Sequence, residues 1–107
     1  MVIPIKVTEQ CLEFDSLYKK SVVLQRPPAA ITLKFNFSED WRSLQKSIIF
    51  MAENEPVEEF FFSGNSYHIP IKKIASPGIW FYICGTKETD YRKPTNRFFI
   101  KILSEEN

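Results

Sequence analysis

The stretch "FNFSEDWRSLQKSIIF", residues 35–50, allows two local structures, and the choice between them decides the fold class. Trp41, Leu44 and Ile48 recur at the spacing of one helical face, and Ser38 followed by two acidic residues is typical of a helix N-cap. However, the residues before Ser38 alternate like a strand, and "SIIF" after the turn is an apolar run typical of a sheet core. The stretch is therefore either one amphipathic helix or a strand, a single helical turn and a second strand.

A continuous helix fits these residues poorly. It would have to carry the "SIIF" segment, whose residues are poor helix formers, without a clear C-cap. It would also bury Ile48 while turning Ile49 and Phe50 away from the core. In the alternative, Ser38 caps one short turn over residues 40–44, and the chain re-enters the sheet at about Lys46. The sequence therefore predicts a helical turn followed by a buried strand.

The rest of the chain is divided into short segments by turn-forming residues about every ten positions, as expected of an all-β sandwich or barrel. Pro4 and Pro70 cannot donate to a ladder, so we expect them at sheet edges or strand ends. A second helical turn is expected after Pro70. The predicted strands are Ile3–Val7, Tyr18–Leu24, Ala30–Phe37, Ser47–Ala52, Val57–Ser63, Ser66–Pro70, Ile79–Gly85 and Arg97–Leu103.

These patterns predict an all-β fold: a single antiparallel β-sandwich, immunoglobulin-like or jelly-roll, with one or two short helical turns in loops. We expect all 107 residues to form one domain, because this length can bury a single core without metal or disulfide staples. The residues predicted to form the core are Leu33, Phe35, Trp41, Leu44, Ile48, Phe50, Phe81, Ile83, Phe98 and Ile100.

Composition argues against several classes of partner and cofactor. The chain has 14 basic and 13 acidic residues and no basic stripe, so nucleic-acid binding is not expected. Its longest apolar run, "IWFYIC", is far shorter than the roughly 20 residues that span a bilayer, and no signal-peptide pattern opens the chain. Cys11 and Cys84 match no metal spacing, and we expect both thiols to be reduced. We therefore expect no membrane partner, no metal and no cofactor.

The candidate catalytic residues do not form a catalytic pattern. Glu58 and Glu59 are neighbours in a predicted strand, so their side chains should point to opposite faces of the sheet. His68 is the only histidine, and no nucleophile motif accompanies it. The sequence therefore predicts a protein that is not an enzyme.

The remaining candidate sites are a sugar-stacking aromatic platform and a polar loop, "TKETDYRKPT", that could recognise a partner or be a solvated hairpin tip. The aromatic residues considered for the platform are Tyr18, Trp80, Tyr82 and Tyr91.

Three blocks, "LKFNFSEDWRSLQKSIIF", "HIPIKKIASPGIWFYICGTK" and "KPT", together resemble a small β-domain found at the front of baseplate, tail-fibre and head-fibre proteins of tailed bacteriophages. The resemblance covers about two thirds of the chain. It departs from the family pattern at "PIKKIA", where a Trp often follows the Pro, and after Thr95, where an aromatic–Ala pair is usual. The residues that carry the resemblance are Trp41, Leu44, Lys46, Phe50, Ile69, Pro70, Pro77, Gly78, Tyr82, Gly85, Lys87, Pro94 and Thr95.

The resemblance implies a non-enzymatic virion structural protein, assembled in the host cytoplasm, that acts as an accessory or anchoring module of the head, tail or baseplate. Its partners would be other phage structural proteins, with copies of the chain itself as a second option. Such domains usually precede a coiled coil or fibre, whereas this sequence stops at "SEEN", which favours a stand-alone accessory protein or an excised anchor. The alternative is a carbohydrate-binding or host-adhesion module whose partner is a host surface glycan.

We expect contact with a partner at two places. Residues 1–10 would act as a docking arm or an edge strand, because a free strand edge can add a strand from a neighbouring chain. The loop at residues 86–95 would supply specificity through its charges. The residues predicted to contact the partner are Val2, Ile3, Ile5, Lys87, Asp90, Tyr91 and Arg92.

Overall fold

The protein is built from strands joined by short turns. The computed structural model describes residues 1–14, 21–75, 77–88 and 91–103. Short 3-10 turns lie at Glu39–Trp41 and Ile71–Lys73. The strands formed by the described residues are β1 (Val2–Thr8), β2 (Cys11–Phe14), β3 (Ser21–Leu24), β4 (Thr32–Phe37), β5 (Gln45–Ala52), β6 (Glu55–Phe62), β7 (Ser66–His68), β8 (Gly78–Lys87), β9 (Tyr91–Pro94) and β10 (Phe98–Ile102).

The strands form two sheets with the apolar core between them. The smaller sheet has the order β2–β1–β4–β7, and the larger sheet has the order β3–β10–β8–β5–β6. β9 pairs with the second half of β8, next to the position that β10 occupies along its first half. Strand makes up 62% of the structure and helix only 6%, so the prediction of an all-β sandwich with isolated helical turns is confirmed.

Residues 35–50 form the end of one strand, a helical turn and the start of a second strand. β4 ends at Phe37, the 3-10 turn ends at Trp41, and β5 begins at Gln45. Trp41 is fully buried because the turn places its indole inside the core. All ten residues predicted to form the core are buried, so that prediction is also confirmed.

Both sheets are mixed, whereas the sequence predicts purely antiparallel sheets. β1 runs parallel to β4, and β3 runs parallel to β10. Parallel partners must be joined by a crossover connection, and the members of each pair are far apart in the sequence. The alternation of side chains within a strand does not reveal the direction of its neighbour, so these parallel pairs were not predictable from local sequence patterns.

The N-terminal strand is internal, which corrects the prediction of a docking arm or edge strand at residues 1–10. β1 lies between β2 and β4 and is paired with both. Ile3 and Ile5 point into the core and are buried, so they cannot contact a partner in the folded protein. Pro4 is tolerated in this internal strand because pairing with β2 begins one residue later, at Ile5.

Candidate functional site

The outer faces of the two sheets differ in chemistry. The smaller sheet is covered mostly by polar side chains, as expected of a face in contact with water. Lys6 lies opposite Glu13, and the Oγ1 of Thr32 lies 2.9 Å from Nδ1 of His68. Lys34 and the other polar residues of this face follow the same alternation, with apolar neighbours pointing inward.

The larger sheet is largely apolar on its outer side as well as on its inner side, although Ser21, Lys101 and the Glu59–Arg92 pair also lie on the outer side. Trp80 is 47% exposed, and Val23, Val57 and Phe61 are each 54% exposed. Ile49 is buried but lies outside the core cluster, because neighbouring side chains cover it on the outer side. We call this surface the apolar face. Its residues are Val23, Ile49, Met51, Val57, Phe61, Trp80, Tyr82 and Phe99.

The apolar face follows from the apolar runs within β5 and β8, two adjacent inner strands of the larger sheet. In β5 and β8 the segments "SIIF" and "IWFYIC" present apolar side chains to both sides of the sheet. Such runs are typical of strands that are covered on both faces. Trp80 and Phe99 lie directly opposite each other on β8 and β10, and their rings stack with centroids 4.4 Å apart and planes 14° from parallel.

The charged cluster on the apolar face is internally compensated. The Oγ of Ser47 donates to Oε2 of Glu59 at 2.7 Å, and the guanidinium of Arg92 donates to the same oxygen at 2.9 Å. Partial burial acts to raise the pKa of Glu59, but the hydrogen bonds from Ser47 and Arg92 outweigh it, and the pKa is lowered overall. The Glu59 carboxylate also raises the pKa of Arg92. A shallow depression of about 330 Å³ beside this pair is lined mainly by Ile49, Val57, Tyr82 and the pair itself.

Three of the motif residues named by the resemblance meet at one end of the sandwich. Trp41 and Leu44 pack against Gly85 so closely that an added Cβ would lie 2.6 Å from Cδ1 of Leu44 and 2.8 Å from Cζ3 of Trp41. The indole Nε1 of Trp41 donates to the carbonyl of Glu9 at 2.7 Å, which ties the turn to the β1–β2 connection. These residues close the end of the core, so their role in the structure is packing.

Pro94 and Thr95 hold the bend between β9 and β10. The Oγ1 of Thr95 accepts from the N–H of Ile83 at 3.0 Å, and the N–H of Thr95 donates to the carbonyl of Ile83 at 2.9 Å. The side chain of Gln10 donates to the carbonyl of Pro94 at 2.9 Å. Asn96, which the sequence analysis missed, bonds to both backbone groups of Leu12. An isolated Asn after a Pro-Thr pair gives no sequence signal for such a bridge.

The other motif residues also have structural positions. Phe50 is part of the core, and the Nζ of Lys46 lies 5.0 Å above the centre of the Phe37 ring. The carbonyl of Pro77 accepts from the N–H of Ile102 at 3.0 Å. Gly78 has φ +144°, and a Cβ there would meet the carbonyl oxygen of Ile100 at 2.2 Å. Pro70 precedes the second 3-10 turn.

The residues predicted to contact a partner are dispersed. Val2 is exposed on the outer side of the smaller sheet, while Lys87 and Tyr91 face each other across the β8–β9 hairpin. Arg92 belongs to the compensated pair on the apolar face. Asp90 lies outside the described residues. Apart from the buried Ile3 and Ile5, the contact role of these residues stays a prediction.

The four aromatic residues considered for a sugar platform are not assembled in one place. Trp80 and Tyr82 share the apolar face, and Tyr91 lies on the β8–β9 hairpin. Tyr18 lies outside the described residues. Phe99, whose ring stacks on Trp80, was not among the residues predicted from the sequence, although the uninterrupted apolar run around Trp80 indicated a strand that is apolar on both sides.

The acidic residues and the histidine are also separate from one another. Glu58 pairs with Lys73, whereas Glu59 pairs with Arg92 on the outer side of the sheet. His68 lies on the polar face of the smaller sheet, next to Thr32.

Among the described residues, no three His, Cys, Asp or Glu side chains are placed to hold a metal ion. The same residues form no helix long and apolar enough to cross a membrane. Cys11 and Cys84 form no disulfide with each other.

Comparisons of the chain with protein-family models, with curated proteins and with solved structures found no match. The resemblance to the phage β-domain therefore rests on the sequence motifs alone.

Proposed function

We propose that the protein is a non-enzymatic binding module that docks on another protein through the apolar face. The observation that carries this proposal is the contrast between the two outer faces: polar on the smaller sheet and apolar on the larger one. A contiguous apolar patch on a soluble domain costs free energy while it is exposed to water, and such patches mark interaction sites. The partner is a protein whose own surface supplies an apolar patch of matching extent.

The Glu59–Arg92 ion pair on the apolar face suits burial against a partner. The Glu59–Arg92 pair is neutral as a unit, so covering it does not strand an isolated charge. Trp80 and Phe99 form a rigid aromatic pair at the side of the face formed by β8 and β10. Aromatic residues of this kind contribute most strongly to protein–protein affinity when a partner covers them fully. We expect this pair to supply a large share of the binding energy.

The resemblance described above gives a more specific form of the proposal. The partner is another structural protein of a tailed-bacteriophage particle, and the domain is an accessory or anchoring module of its head, tail or baseplate. The motif residues that support this form close the end of the core and hold the strand bends, which leaves the outer surfaces for binding. The protein would be assembled into particles in the host cytoplasm.

The test is incorporation of variants into particles, measured by co-sedimentation with intact phage and detection by mass spectrometry. Val57→Asp places a charge on the apolar face and should abolish incorporation. Val2→Asp is the matched control, because Val2 is a similarly exposed valine on the outer side of the smaller sheet. Both variants should unfold at the same temperature as the unmodified protein. Loss with Val2→Asp and not with Val57→Asp would move the docking surface to the smaller sheet, and absence of the unmodified protein from particles would contradict the virion role.

A second candidate function, glycan binding, is favoured by one specific observation. Trp80 lines a small cavity together with three polar side chains at one end of the apolar face.

A further inference from the structure

The β5–β6 turn, the apolar face and the start of β10 enclose a small cavity. Glu53 and Asn54 form the turn and both have positive φ, 52° and 70°, which is typical of the tightest hairpin connections. The guanidinium of Arg97 lies 3.5 Å from Oδ1 of Asn54. The cavity of about 120 Å³ is lined by Met51, Glu53, Asn54, Trp80 and Arg97.

Trp80 supplies the aromatic wall of this cavity. One face of its indole is covered by the stacked ring of Phe99, and Phe99 does not line the cavity. The part of the indole that lines the cavity is therefore surface that Phe99 leaves uncovered. Phe99 fixes the orientation of the indole, so the wall is rigid before a ligand arrives, and less conformational entropy is lost on binding.

The other lining groups define what the cavity can hold. Glu53 offers only acceptors, Arg97 only donors, and Asn54 both a donor and an acceptor. One carboxylate and one guanidinium give the site no net charge, so each opposes a ligand of its own sign. An aliphatic side chain would contact Trp80 but would offer no partner to the Glu53 carboxylate or to the remaining donors of Arg97 and Asn54, which costs free energy.

We propose that this cavity binds a single pyranose ring of an uncharged glycan. A pyranose has a flat C–H face that packs against the negative face of an aromatic ring, and hydroxyls that both donate and accept. The cavity is smaller than the roughly 300–1,000 Å³ of drug-sized sites, so it admits one side of a single ring and leaves the rest of the glycan in solvent. The glycan site shares Met51 and Trp80 with the apolar face, so a bound glycan and a protein partner that covers this face fully exclude each other; the turn residues Glu53 and Asn54 belong to the glycan site alone.

The test is an NMR titration of the intact chain with the methyl glycosides of glucose, galactose, mannose and N-acetylglucosamine. The chain has two tryptophans, and Trp41 is buried while Trp80 is exposed, so two indole N–H signals report separately on folding and on binding. We expect at least one glycoside to shift the Trp80 signal in a saturable manner, with a dissociation constant of about 1 mM, and to leave the Trp41 signal unchanged.

Three variants and a charged probe make the titration decisive. Asn54→Ala and Trp80→Leu should each weaken binding by about tenfold or more, while Phe60→Leu, at a partly exposed aromatic on β6 outside the apolar face, should leave it unchanged. The Trp41 signal and the backbone amide shifts verify that each variant is folded, and Asn54→Ala keeps the test valid if Trp80→Leu perturbs the sheet. Arginine amide serves as a cationic probe. The proposal is overturned if no glycoside shifts the Trp80 signal, if Asn54→Ala binds as tightly as the unmodified chain, or if arginine amide binds more tightly than every glycoside.

Discussion

The side chain of Asn96 satisfies both backbone groups of Leu12, accepting from its N–H at 2.6 Å and donating to its carbonyl at 3.1 Å. Leu12 lies in β2, at the edge of the smaller sheet, and Asn96 lies just before β10 of the larger sheet. A single amide therefore takes the place of a neighbouring strand at this edge and joins the two sheets there.

Asn96→Ala should lower the free energy of unfolding by about 1–3 kcal/mol, because the buried backbone groups of Leu12 lose their partners. Chemical denaturation measures the loss. Asn36→Ala is the matched control: Asn36 is exposed on the polar face, and its replacement should change the stability by no more than about 0.5 kcal/mol. Equal losses in the two variants would show that the bridge adds nothing to stability.

Truncation of the two tryptophans should lower the free energy of unfolding by very different amounts. Trp41→Ala removes a fully buried indole and should cost about 3–5 kcal/mol, whereas Trp80→Ala removes an exposed indole and one ring stack, worth at most about 1.5 kcal/mol. Urea denaturation followed by circular dichroism measures both values. A loss below about 1 kcal/mol for Trp41→Ala would mean that the turn does not anchor the core.

Gly85→Ala should destabilise the protein by about 1–3 kcal/mol, because the new methyl group overlaps Leu44 and Trp41. The steric origin can be isolated with Leu44→Ala, which makes room for the methyl group. In that background the added cost of Gly85→Ala should be smaller than in the unmodified chain. Strictly additive losses, measured by the same denaturation experiment, would point to the backbone and not to the packing contact.

Stability should fall in acid because three carboxyl groups have lowered pKa values in the folded state. Hydrogen bonding to Lys93, and then to Ser38, lowers the pKa of Asp40, and hydrogen bonding to Lys73 lowers the pKa of Glu58. Partial burial acts to raise the pKa of Glu59, but hydrogen bonds from Ser47 and Arg92 lower it overall. A group with a depressed folded-state pKa stabilises the protein fully above its unfolded value of 3.8 or 4.5, and this stabilisation is lost as the pH falls through the folded-state value.

We therefore expect the contribution of these three carboxyl groups to the free energy of unfolding to be constant near pH 6 and to decline below about pH 5. Glu58→Gln should flatten part of this decline, because the glutamine does not titrate. Glu55→Gln is the control, since Glu55 is exposed on the same strand and forms no ion pair among the described residues. Denaturation curves between neutral and acidic pH decide the point: equal slopes for the two variants would exclude the Lys73 pair as a source of the pH dependence.

Local patterns in the sequence predicted the elements of the fold well. The break between Phe37 and Gln45 was predictable because a helix there would have contained the poor helix formers of "SIIF" and turned Phe50 away from the core. Ile49, by contrast, lies on the outer side of the larger sheet. The core residues followed from alternation along β4 and β10 and from the segments "SIIF" and "IWFYIC". These features depend on residues close together in the chain, so a single sequence contains the signal for them.

Relationships between distant segments were not predictable in the same way. The alternation of Ile3, Ile5 and Val7 fits an edge strand as well as an internal one, and only the pairing of β1 with both β2 and β4 distinguishes them. β9 carries "YRKP", which lacks a strand pattern and is held in place by its pairing with β8. The cavity beside Trp80 combines residues from β5, the β5–β6 turn, β8 and the start of β10, so no local motif could indicate it.

The parallel pairing of β3 with β10 has a consequence for the order in which the chain folds. Among the described residues, β3 has no strand partner other than β10, which follows the other described strands in the sequence. Contacts between segments so far apart in sequence slow folding, because a long stretch of chain must lose its freedom before they can form. A nascent chain that ends before Phe98 lacks three buried side chains of the core, namely Phe98, Ile100 and Ile102. The larger sheet is therefore completed only after translation has reached β10, and until then its unfinished edge is open to chaperones and to aggregation.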